Sequence, residues 1–116
     1  METQRITSYR TFWPFYLREH SRAGTRALHF VGTSLALILV ALAAVFGEPW
    51  LLLGALIAGY GFAWVAHLAI EHNRPATFRY PLYSLIGDFH MYALIWLGRF
   101  DAEFTRANGG RDGRRS

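Results

Sequence analysis

The sequence contains no cysteine and no lysine. The first absence excludes disulfide frameworks and thiolate metal sites together. The second excludes Schiff-base and lysine-nucleophile chemistry. Charge is scarce as well: 17% of the 116 residues are charged, 53% are apolar, and mean hydropathy is positive. A soluble domain of this length needs a polar surface over a small core, so the balance points to a membrane. No Ser-His-Asp elbow, P-loop or GxGxxG pattern is present.

What remains is basic and rich in histidine. The net charge of +4 comes from twelve arginines. On an apolar chain it is read as positive-inside anchoring, with no nucleic acid partner. Five histidines stand out against so few charges.

The fold class is an all-α, integral-membrane helical bundle. Residues 29–46 and 49–70 are two apolar runs without a permanent charge, joined by Gly47-Glu48-Pro49. At 1.5 Å per residue the first covers roughly 27 Å, close to the hydrocarbon core of a bilayer. It starts too late and runs too long for a cleaved signal peptide. The two runs form a transmembrane hairpin, with Gly54, Gly59 and Gly61 allowing close helix contact. Ahead of it, the aromatic segment Tyr9–His20 suits the headgroup region as an interfacial anchor, with Pro14 fitting the first turn of a helix that runs to about His20. Residues 71–80 are a polar connector, and residues 81–98 a third apolar run interrupted by Asp88 and His90. Residues 1–98 are thus expected to form one membrane domain, and the Arg- and Gly-rich residues 99–116 a disordered polar tail.

Arg5, Arg10, Arg18, Arg22 and Arg26 precede the first span, while the hairpin tip carries only Glu48. This places the N-terminus and the 71–80 connector in the cytoplasm. A full third crossing would export the Arg-rich tail, so the third segment either dips and returns or breaks the rule. Exclusive use of Arg hints at a GC-rich bacterial genome, and hence at the bacterial inner membrane.

The histidines gather at one end of the hairpin. His29 lies 19 residues before Glu48 and His67 lies 19 after it. Two antiparallel helices of equal length bring them to one depth. Glu71 follows His67 by one helical turn. His20 and His72 flank the two spans on the same side. A break near Gly24 would let His20 converge with His29. His90 and Asp88 are ionisable groups inside an apolar run and are functional candidates for that reason. Imidazoles with one or two carboxylates and no thiolate suit non-haem iron, manganese or zinc. The candidate ligands are therefore His20, His29, His67, His72 and His90. A site at the interface lets a lipid head reach the metal while its tail stays in the bilayer, which predicts an amphiphilic substrate.

Two stretches carry a family resemblance. Phe15-Tyr16-Leu-Arg-Glu-His20, eight residues, then His29-Phe-Val-Gly32 resembles the N-terminal signature of the Mpo1-like family. His67-Leu-Ala-Ile-Glu71-His-Asn-Arg-Pro75-Ala76 is similar to its second signature. With the spans between them, the resemblance covers roughly residues 12–98. Its best-known member is an Fe(II)-dependent dioxygenase of the yeast endoplasmic reticulum membrane, which shortens 2-hydroxy fatty acids by one carbon. The resemblance implies Fe(2+) as cofactor, O₂ as co-substrate, and His20, His29 and His67 as catalytic iron ligands with Glu71 beside them. This chain departs from the pattern at Thr25, where the family often has Asn, in its short Gly47–Pro49 connection, and in Asp88-Phe-His90.

The leading expectation is a dioxygenase of fatty acid α-oxidation. In it the substrate's carboxylate and 2-hydroxyl chelate iron and Arg74 pairs with the carboxylate. Glu71 and Asp88 support the ligands. The alternatives are a di-iron lipid hydroxylase or desaturase, whose larger histidine set would require chains to share a site as a homo-oligomer, and a non-catalytic membrane scaffold or small transport subunit. Metal content separates the three.

Overall fold

The computed structural model describes residues 5–109. Among them every regular element is helical, and the described residues divide into two compact units: residues 22–75, and residues 5–21 together with 76–109.

The 22–75 unit is the hairpin. Helix α2 runs Ala23–Phe46 and helix α3 runs Trp50–Val65, continuing into a π-helical turn over Ala66–Glu71. The start of α2 has no side-chain cap of its own from Arg22. Instead the Arg22 backbone N–H donates to Glu71 Oε2 at 2.7 Å. A carboxylate there satisfies an orphan donor and meets the positive end of the helix dipole. At the tip Gly47 takes the left-handed conformation (φ 64°), which glycine adopts without a Cβ penalty, and closes α2. Among the glycines of the hairpin the tightest contact is at Gly32, whereas Gly61, expected to allow close helix contact, has no neighbour within 4 Å of a built Cβ. A Cβ built at Gly32 would lie 2.7 Å from Phe62 Cβ and 2.9 Å from the Ala58 carbonyl oxygen.

Both arms are long and apolar enough to cross a membrane: Ala23–Phe46 with 24 residues and Trp50–Glu71 with 22. Only 17% and 22% of their apolar windows are buried. Ile38, Val45, Phe46, Leu56 and Ile57 point outward, each more than half exposed. Helices of a soluble core turn such residues inward, and exposure on this scale needs an apolar surrounding. The arms are compatible with a membrane protein. The protein is expected to stay in the membrane pellet through high-salt and carbonate washing. Recovery in the soluble fraction without detergent would contradict the hairpin's role as an anchor.

The other unit is built on aromatics. Helix α1 spans Tyr9–Arg18, a short 3₁₀ turn spans Ala76–Phe78, and helices α4 and α5 span Pro81–Leu97 and Phe100–Ala107. Phe12, Trp13, Tyr16 and Leu17 form the buried stripe of α1, at the spacing of one helical face. They pack with Tyr80, Met91, Phe100 and Phe104. Tyr16 lies against Gly87, where a Cβ would sit 3.0 Å from its ring.

Two expectations are corrected here. Pro14 is not in the first turn of α1 but inside the helix, because Ser8 caps it earlier by accepting from the Thr11 N–H. The chain after Arg99 is not wholly an unstructured tail: Phe100–Ala107 is helical and buries Phe100 and Phe104. Asp101 and Glu103 in its first turn and Arg106 in its last complement the helix dipole. Residues 110–116 of the expected tail lie outside the described residues.

Candidate metal centre

His29 and His67 face each other inside the hairpin. Their Nε2 atoms are 3.3 Å apart, with the rings nearly perpendicular. Both side chains are buried, at 5% and 2% exposure. The equal spacing about Glu48 accounts for the meeting, since both arms leave the same tip and climb at the same rise per residue.

The π turn explains what surrounds His67. A π turn widens the helix by one residue and is often found at functional sites. It ends at His72, which is in the left-handed region (φ 61°) and whose N–H reaches back to the His67 carbonyl. The Asn73 N–H donates to the same carbonyl at 2.9 Å. This fold-back sets Asn73 Oδ1 2.7 Å from His67 Nδ1. When Nδ1–H donates to that oxygen, the lone pair of His67 is on Nε2, the atom facing His29. Asn73 was not singled out from sequence. Six residues from His67, it is out of step with any helical period, and only the π turn with a left-handed His72 brings it there.

Two imidazole nitrogens at 3.3 Å fit one metal ion. At metal–nitrogen distances of about 2.1 Å they would subtend roughly 104°, between octahedral and tetrahedral angles. Two neutral imidazole donors without thiolate suit non-haem iron, manganese or zinc.

In the unit of residues 5–21 and 76–109, His20 is also buried, at 1% exposure. Its Nδ1–H donates to the Tyr16 carbonyl at 2.7 Å and its ring stacks on that of Tyr16. This contact leaves the imidazole lone pair on Nε2. The Tyr16 hydroxyl in turn donates to Asp88 Oδ1. Asp88 therefore reaches His20 through a tyrosine, a link invisible at sequence distances of 72 and 4 residues. Within the hairpin unit, the two buried histidines His29 and His67 could contribute to a metal site, while His20 is buried in the other unit.

The other candidates are placed differently. His90 Nδ1 accepts from the Tyr9 hydroxyl at 3.0 Å, and its ring stacks on Trp13 at 3.7 Å. Burial, and then the Asp88 carboxylate, push the Tyr9 phenol up to about 12, so it remains a donor at neutral pH. Trp13 Nε1–H donates to Glu103, whose carboxyl is held low chiefly by Arg106. His72 and Arg74 are exposed, and Glu71 caps α2.

A family model described as 2-hydroxy-palmitic acid dioxygenase Mpo1-like matches residues 6–100. No curated protein and no solved structure gives a significant match. The matched region contains α1 to α4, both histidine signatures and all three buried histidines. The chain belongs to the Mpo1-like family.

Proposed function

We propose that the protein is a membrane-embedded, iron(II)-dependent dioxygenase that cleaves 2-hydroxy fatty acids to fatty acids one carbon shorter. The observation that carries this reading is the His29–His67 pair, buried at 3.3 Å within an otherwise apolar hairpin. Family membership supports the reaction class. By the family resemblance His20, His29 and His67 would hold the iron, which would supply O₂ chemistry and a Lewis-acidic seat for the substrate's oxygens. The overall change balances as hydroxy acid plus O₂ giving the shorter acid, CO₂ and water.

The chain's own residues divide the remaining work. Asn73 and the Tyr16 carbonyl hold the His67 and His20 rings with Nε2 as ligand nitrogen. Arg74, exposed just after Asn73, offers a guanidinium to the carboxylate. The outward apolar faces of the hairpin keep the acyl tail in the bilayer beside the site. The arginine-rich N-terminus fits a cytoplasmic placement in a bacterial inner membrane.

The test is metal content with oxygen uptake in detergent. The purified protein is expected to carry about one iron per chain, within the range a three-histidine site supports. It should consume O₂ with 2-hydroxypalmitate but not with palmitate. Equal turnover of both acids would sink chelation through the hydroxyl. Two irons per chain would point to a di-iron enzyme, and a metal-free protein to a scaffold.

A further inference from the structure

Thr25 is fully buried (0% exposed), and its Oγ1 has no hydrogen-bond partner. Among the described residues no other buried side-chain oxygen or nitrogen is in that position. A helical threonine can satisfy its hydroxyl on the carbonyl four residues back, and this one does not. Buried polar groups are nearly always paired, so an exception asks what completes it. The position answers. Thr25 precedes His29 by four residues on α2, which turns its side chain only about 40° from that of His29. The orphan hydroxyl therefore lies on the helix face that carries a metal-ligand candidate, one turn away.

We propose that Thr25 is a positioning residue whose hydroxyl accepts a hydrogen bond from a water bound to the metal. This rests on the metal-site reading above. Metal-bound water is a stronger donor than bulk water because the ion withdraws charge from its oxygen. A hydroxyl has two acceptor lone pairs and no charge to compete with the ion. It can orient such a water without displacing it from the metal.

The test compares Thr25→Val with wild type, apo and loaded with Fe(II) under anaerobic conditions, in detergent. Valine keeps the branched shape and deletes the hydroxyl. The apo variant is expected to melt at or above apo wild type, because an unsatisfied hydroxyl is gone. The iron-induced rise in melting temperature should shrink, and Kd for Fe(II) should weaken about tenfold, equivalent to ~1.4 kcal/mol. Thr25→Ser should restore both readouts, since it restores the hydroxyl. If Thr25→Val folds poorly, Thr25→Ala should give the same loss of iron response. An iron-induced rise and Kd unchanged from wild type would overturn the role of Thr25 while leaving the metal site standing. A rise lost equally in Thr25→Ser would also overturn it. Wild-type protein that takes up no iron would overturn both readings together.

Discussion

His29→Ala and His67→Ala are each expected to lose most of any bound iron and nearly all turnover, while both variants should still insert in the membrane. Each removes one of two nitrogens that face each other at 3.3 Å, so the remaining ring cannot hold the ion in the same geometry. Losing a group that merely supports a ligand costs roughly 10–100-fold in metal affinity, and losing the ligand itself should exceed that. Asn73→Ala supplies the comparison within the same protein. It leaves His67 in place but removes the oxygen 2.7 Å from Nδ1, and it should fall inside the 10–100-fold range. Insertion is spared because it depends on the apolar arms, whose lengths the substitutions do not touch. Iron per protein and resistance to carbonate extraction are the measurements. Full iron and full turnover in both histidine variants would remove the pair from the site.

The reach of the sequence follows from which interactions leave a periodic mark. The hairpin was legible because two uncharged runs of membrane length need no tertiary information. The meeting of His29 and His67 was legible for a related reason: equal distance from a tight turn fixes equal depth. Asn73 was not, because a π turn and a left-handed His72 break the 3.6-residue period on which such inference rests. Helix α5 was hidden by composition. Phe100 and Phe104 stand one turn apart and bury together, but they are set among Arg, Asp and Gly that read as tail. The contact between Asp88 and Tyr16 is long-range, and no local pattern announces it. Pro14 was misplaced by one turn because the Ser8–Thr11 cap, a signal present in the sequence, was outweighed by the proline.

The close contact at Gly32 is expected to make the geometry of the proposed site depend on a residue outside the candidate ligand set. Gly32→Leu should lower thermal stability in detergent and reduce iron affinity together, although every histidine remains. A Cβ at position 32 meets Phe62 Cβ at 2.7 Å and the Ala58 carbonyl oxygen at 2.9 Å. Neither is the tip of a flexible side chain: one is fixed to the α3 backbone and the other belongs to it. The strain must therefore be relieved by moving α3 away from α2. Overpacking of this kind typically costs about 1–3 kcal/mol, and a clash with backbone belongs at the upper end. Gly32 lies three residues beyond His29, so a displacement there should widen the 3.3 Å separation on which the proposed metal site depends. Gly61→Leu is the matched control, because a Cβ at that position has no neighbour within 4 Å. It should melt at or above wild type, since leucine is the better helix former, and should keep its iron. Equal behaviour of the two glycine variants, in melting and in iron content, would show that the close contact at Gly32 does not set the spacing of the histidines.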